Sequence, residues 1–171
     1  MEITLNKEKF EEMVYYIIYK CQNKPSFGKT VLFKLLYFAD FDYYELNEKS
    51  ISGETYQKFD YGPIPKHFDL IKNNLIQDKK IQEFSVPLFD DGKAYIFRYK
   101  SLKPPITNLI SAKELERINI TIDKLSDMNS GEISDYSHED MPWRASQKNQ
   151  DIDYNFVFYR DDPYVIRDIE W

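Results

Sequence analysis

The chain contains one cysteine, Cys21, and two histidines, His67 and His138, in 171 residues. A single thiol excludes an internal disulfide and every zinc site that needs several Cys ligands. The two histidines lie too far apart in sequence to form a pair at helical metal spacing. No run approaches the ~18 consecutive apolar residues of a membrane helix, and no Lys- or Arg-led apolar stretch opens the sequence. These absences predict no metal, no cofactor and no membrane partner, and a reducing, cytoplasmic location. A magnesium site made of carboxylates alone is left open by composition.

Positive charge is also short. Lys and Arg number 23 against 29 Asp and Glu, for a formal net charge of -6 and a pI near 5.0. A surface of that sign repels phosphate backbones unless its basic residues are sorted into a patch, so nucleic acid is a disfavoured partner. The acidic excess sits late, where Asp151, Asp153, Asp161, Asp162, Asp168 and Glu170 face only Arg160 and Arg167.

What is plentiful is aromatic: 14 Tyr and 12 Phe, with 42% hydrophobic residues in all. Each ring buries a large area, so a single domain of this length can build a sizeable core. Phe10, Met13, Val14, Ile17, Ile18 and Cys21 recur at helical spacing, which predicts a helix from Lys7 to Gln22 capped by Asn6. Cys21 falls on that stripe and reads as a small buried hydrophobe. A second helix, Lys29 to Leu46, is apolar on nearly every side and is expected at the centre of the fold. Asp40 and Asp42 interrupt it. A carboxylate there must find donors or shift its pKa upward, and a bond to nearby backbone or a Tyr hydroxyl is the simpler outcome.

Glu54 to Asp60 reads as one extended piece, and Tyr61-Gly62-Pro63-Ile64-Pro65 as a stiff, kinked approach to a helix over Lys66 to Gln77. Ile81 to Leu88 and Ala94 to Tyr99 form a hairpin around Asp90-Asp91-Gly92, with Pro87 demoting the first strand to an edge. Ser111 and Glu114 make a capping box that opens a helix carrying Leu115, Ile118, Ile122 and Leu125 inward. A short helix near Gly131 to His138 follows, then Trp143 in a loop. Asn155 to Tyr159 is β-like, and Asp161-Asp162-Pro163 is a turn. The pattern predicts an α+β fold: a mostly helical single domain with a central buried helix and a small antiparallel β-hairpin or sheet.

Constellations for chemistry are incomplete. Phe27-Gly28-Lys29-Thr30 suggests a phosphate loop, but the motif needs Gly where Asn23 stands and a strand where a helix precedes. Ser137-His138-Glu139 has the residue types of a triad, yet adjacent residues on a helix point apart. No catalytic residue is assigned. Trp143 serves either as a lid folded on the core or as an anchor at a protein interface.

Four segments together resemble the Panacea, or SocA-like, antitoxin domain found in phage-associated proteins. They are Lys34-Leu35-Leu36-Tyr37-Phe38-Ala39-Asp40, then Gly53 with Tyr56, then Tyr61 to Pro65, and Ser137-His138 with Trp143. Ser111 to Glu114 also fits. Each piece is common alone, and the order and spacing carry the likeness. The resemblance implies an antitoxin of a two-gene toxin–antitoxin system, over residues 1–150, with 151–171 as an acidic C-terminal extension packed on the same domain. It implies neutralisation of a cognate protein toxin from an adjacent gene by direct contact. Asp40, Tyr56, Tyr61, Gly62, Pro63, Ile64, His138 and Trp143 are its candidate motif or toxin-binding residues, with Asp40 bonded beneath a groove. Two further readings stand beside it. One is an adaptor that delivers the toxin to a cellular protease, and the other a metal-dependent enzyme using Asp40, His67 or His138.

Overall fold

Apolar residues surround the segment Lys29–Asn47, and the fold is assembled around it. This helix, α2, has Val31, Leu32, Leu35, Leu36, Tyr37, Ala39 and Phe41 fully buried. Burying one Leu or Phe side chain is worth about 1.5–3 kcal/mol, so α2 is the largest single contributor to the core. The chain is described by a computed structural model over residues 2–169. Before α2 comes α1 (Lys7–Cys21), and after it β1 (Tyr56–Phe59), β2 (Gly62–Pro65), α3 (Phe68–Gln77), β3 (Ile81–Pro87) and β4 (Tyr95–Ser101). Then follow α4 (Ala112–Leu125), α5 (Ser130–His138), α6 (Met141–Ala145) and a 3-10 helix over Tyr154–Tyr159. The fold is α+β and mostly helical, with α1, α4, α5, β2 and the 3-10 segment all packed on α2.

Local signals place the helix starts. The Asn6 side chain accepts from the Lys9 amide at 3.1 Å and caps α1. Ser111 and Glu114 form the reciprocal capping box of α4 at 3.2 and 2.9 Å, and Asn129 with Glu132 repeats it on α5. Such a cap is worth about 1 kcal/mol. Gly28 precedes α2, and its phosphate-loop look has a packing cause. A Cβ there would stand 2.9 Å from Ile96 and 3.0 Å from the Phe97 carbonyl, so β4 can approach only a glycine.

The structure departs from the sequence reading in three places. Tyr61 to Pro65 is no mere approach to a helix. Residues 62–65 form a strand paired antiparallel with β1, Tyr56 opposite Pro65 and Phe59 opposite Gly62, with Asp60-Tyr61 as the turn. Two prolines are tolerated because, among the described residues, β2 has no further strand to feed with N–H groups. The other edge of β1 bonds the chain near residue 150, through Lys58 N to Gln150 O (3.0 Å) and Ile152 N to Tyr56 O (2.8 Å).

Trp143 lies in the short helix α6, with Pro142 in its first turn, instead of a loop. Asn155 to Tyr159 is 3-10 helix instead of strand. Asp153 accepts from the Asn155 amide at 2.9 Å, and Tyr154 and Val157 are buried three residues apart. Three-residue spacing is the 3-10 period, and no neighbouring strand among the described residues offers a ladder. The second hairpin closes near Gly92 as expected, with Leu88 N bonded to Ala94 O at 2.8 Å. The Asp161 turn is also present, with a cis Asp162–Pro163 peptide. Glu170 and Trp171, the last residues of the C-terminal extension, lie outside the described residues.

Candidate functional site

Four polar residues ride on the buried surface of α2: Lys34, Asp40, Asp42 and Glu45. Lys34, Asp40 and the Asp42–Glu45 pair meet their burial in three different ways.

Asp40 is buried and accepts from Ser50 Oγ (3.0 Å), Ser52 N (2.9 Å), Ser52 Oγ (2.6 Å) and Tyr56 Oη (2.7 Å). Burial raises its pKa, while these donors act the other way. Among the described residues no cation donates to it. The carboxylate therefore ties the loop after α2, and β1 through Tyr56, onto the central helix. Tyr56 is itself fully buried, edge-on to Tyr37 and Phe41 at 5.7 and 5.8 Å. In the folded chain neither Asp40 nor Tyr56 can touch a partner.

Tyr61 tips the β1–β2 turn and is 78% exposed. Gly62 beside it has φ +110, a conformation side chains rarely adopt. A Cβ at Gly62 would also stand 2.5 Å from both Lys34 Cε and Ser137 Oγ. The turn is thus drawn down onto α2 and α5 as far as a bare backbone permits. Pro63 is buried, and Ile64 is half-buried against the core. Beneath them Lys34 is 1% exposed, and its only acceptor among the described residues is the Pro63 carbonyl at 3.3 Å. Burial lowers its pKa to about 7.

His138, at the end of α5, stacks on Trp143 at 4.4 Å between ring centres. Lys58 of β1 sits 4.0 Å over the Trp143 ring and donates to the Ser146 carbonyl at 3.0 Å. This cation–π contact clamps the β1–β2 hairpin to α6. The His138 Nε2 and Trp143 Nε1 atoms are buried without a hydrogen-bond partner among the described residues. The fold therefore brings the Tyr61–Ile64 turn and the His138–Trp143 stack together through Gly62 on Ser137 and Lys58 on Trp143, with Lys34 beneath the turn, while Asp40 and Tyr56 hold the other end of the hairpin. His67 lies apart from the turn and the stack: its Nδ1 is 2.6 Å from Glu54 Oε1, and the same carboxylate accepts from the His67 amide at 2.8 Å.

The remaining two α2 carboxylates meet Arg160, which comes from the C-terminal extension. Its Nε and Nη2 grip Asp140 in a two-pronged pair, and its Nη1 donates to Asp42 and Glu45, all at 2.8 Å. Tyr37 also donates to Asp140, at 2.7 Å. Burial acts to lower the Arg160 pKa, but Asp42 and Asp140 outweigh it and hold the guanidinium charged. Arg167 closes the second Glu45 oxygen at 2.7 Å. Sequence reasoning missed Arg160, Asp140, Glu45 and Lys34. A lysine inside an all-apolar helix was a visible signal. Nothing in the acidic tail marked Arg160 as a core residue.

Cys21 is buried in α1, and desolvation pushes its thiol up to about 11. Among the described residues no group of three or more His, Cys, Asp and Glu side chains is disposed to hold a metal ion, and no helix is long and apolar enough to cross a membrane.

A family model described as "Antitoxin SocA-like, Panacea domain" matches residues 32–144, from within α2 to within α6. No curated protein and no solved structure matches the chain.

Proposed function

The chain belongs to the SocA-like Panacea family of antitoxin domains, and from that premise we propose that it neutralises a protein toxin encoded beside it by direct binding. One observation carries the reading: an exposed Tyr61 stands on a turn pinned by Gly62 and Lys34, beside the Trp143–His138 stack. Aromatic side chains held rigid lose little entropy on binding and dominate interface energies. In this proposal Tyr61, Ile64, His138 and Trp143 face the toxin. Gly62 and Pro63 set the turn, and Asp40 and Tyr56 hold the other end of its hairpin. The binding module covers residues 1–150, and 151–171 closes the same domain through Arg160. Both proteins meet in the cytoplasm.

The test is expression of the neighbouring open reading frame with and without this chain. Toxicity relieved by the wild type, and relieved less by Tyr61→Ala or Trp143→Ala at equal protein level, is the expected result. An absence of toxicity, or toxicity that co-expression leaves untouched, overturns the proposal. Following toxin half-life in the same cells separates occlusion from delivery to a protease, which shortens it.

A further inference from the structure

Past its capping box, α4 carries two stripes of side chains. Ile118, Ile122 and Leu125 are buried in the core. Beside them Lys113, Arg117, Ile120 and Lys124 recur four, three and four residues apart, the spacing that shares one face of a helix. That second face borders α2 and leaves two hollows of about 130 Å³ each. Phe38, Tyr136, Tyr164 and Ile166 wall the first, and Tyr43 and Leu46 the second. Arg117 and Ile120 line both, so the hollows form one groove. Leu46 and Ile120 stand 43% and 42% exposed along it.

Charge in this groove runs against the rest of the molecule. The chain carries -6 overall, yet Lys113, Arg117 and Lys124 all line the groove. None of them forms an ion pair among the described residues. Of the two carboxylates that also line it, Asp42 is taken by Arg160 at 2.8 Å, which leaves Glu116 against three cations. Arg98, Arg160 and Arg167 each donate within the chain. The Arg117 guanidinium has no acceptor among the described residues, although it is half-buried where the hollows meet. Five N–H donors in a rigid fork are thus partly desolvated and left free.

We propose that this groove receives an acidic amphipathic segment of the toxin. One carboxylate of the segment pairs with Arg117 through two parallel bonds, and its apolar side chains seat in the two hollows. The proposal rests on the antitoxin reading and adds a contact carried by α4 and α2 to that of the Tyr61 turn and the Trp143 stack. Charge selects the occupant. A twofold dimer through the groove sets each row of cations against the same row of the other copy. The chain's own acidic stretch is already folded, with Tyr164 and Ile166 forming a wall of the first hollow. A nucleic-acid strand running past the groove meets the carboxylates of an acidic chain and brings no aliphatic side chain for the hollows.

The test is calorimetry of the full chain with the product of the neighbouring gene. Arg117→Gln weakens binding roughly tenfold to a hundredfold, the usual share of a charge-assisted pair. Lys113→Gln combined with Lys124→Gln, at two exposed positions, also weakens it and flattens its salt dependence. Should Arg117→Gln misfold, this second variant decides. Lys93→Gln makes the same charge change in the β3–β4 turn and leaves affinity unchanged. A formed complex that Arg117→Gln binds as tightly as wild type overturns the proposal and leaves the antitoxin reading standing. An equal loss in Lys93→Gln means long-range charge alone and overturns it too. Self-association of the wild type, or its binding to a DNA or RNA fragment, that Arg117→Gln abolishes assigns the groove to that occupant and also overturns it. If no complex forms, the antitoxin reading fails and this one with it.

Discussion

The two halves of α2 bury one cation each, and they treat it in opposite ways. In the C-terminal half, Asp42 and Glu45 together with Asp140 surround Arg160, whose Nε, Nη1 and Nη2 all donate at 2.8 Å. In the N-terminal half, Lys34 meets one carbonyl at 3.3 Å. A guanidinium offers a rigid fork that carboxylates can saturate, whereas an ammonium with a single long bond carries most of its desolvation cost unrelieved. The saturated cluster lies deep and joins the C-terminal extension to the core. The unsaturated one lies directly below the Tyr61–Pro63 turn. Full pairing thus marks the scaffold, and incomplete pairing marks the surface proposed to bind.

The comparison breaks most readily at Arg160. Arg160→Met leaves Asp42 and Asp140 without this guanidinium and Glu45 with Arg167 alone, and is expected to lower stability by about 3–5 kcal/mol, the cost of breaking a buried pair from one side. Urea denaturation of the variant measures it, and a loss under about 1 kcal/mol would mean the cluster is not a structural clasp.

Asp40→Asn is the intermediate case. The carboxylate receives only hydroxyl and amide donors, and an amide group turned toward them leaves at least one without an acceptor. A loss of about 1–3 kcal/mol is expected in the same assay. Retention of full stability would show that the loop from Ser50 to Ser52 holds its position without the carboxylate.

Lys34→Met is expected to leave stability at pH 7 unchanged or to raise it by about 1–4 kcal/mol, because an apolar isostere removes a poorly satisfied charge. The pH dependence sharpens the point. The unfolded lysine has its pKa near 10.5, and the folded one near 7, so between those values the unfolded state binds more protons. Wild-type stability relative to Lys34→Met must therefore rise as pH goes from 7 to 9, by at most about 1.4 kcal/mol per unit. Denaturation curves of both proteins at those pH values give the slope. A flat difference would mean that Lys34 stays charged and finds acceptors.

Tyr61→Ala has the smallest expected effect on folding, within about 0.5 kcal/mol, as befits a side chain so exposed. Its expected effect on toxin binding is about 2 kcal/mol or more, measured by calorimetry with the neighbouring gene's product. Equal affinity of wild type and variant would remove Tyr61 from the proposed interface.

Much of this was legible in the residues alone. Helical spacing placed α1 and α2, and Asn6 and the Ser111–Glu114 pair announced two helix starts. Asp90-Asp91-Gly92 announced the β3–β4 turn. The departures share a cause. Pro63 and Pro65 read as a stiff, kinked approach to a helix, and the absence of a third strand beside β2 among the described residues makes them acceptable in a strand. Asn155 to Tyr159 is rich in aromatic and β-branched residues like a strand, and only the Asp153 cap and the lack of a partner strand among the described residues turn it into 3-10 helix.

The site divides along the same line. Sequence by itself determined that α2 is buried and that Asp40 inside it needs donors, because periodicity and the cost of burying charge are local facts. Only the tertiary structure decided which donors answer. Arg160 stands 115 residues from Glu45 in the chain and 2.8 Å from it in space. Gly62 is a glycine because Lys34 and Ser137, from two other helices, converge beneath it. Pairing across such distances is set by packing, and no local pattern encodes it.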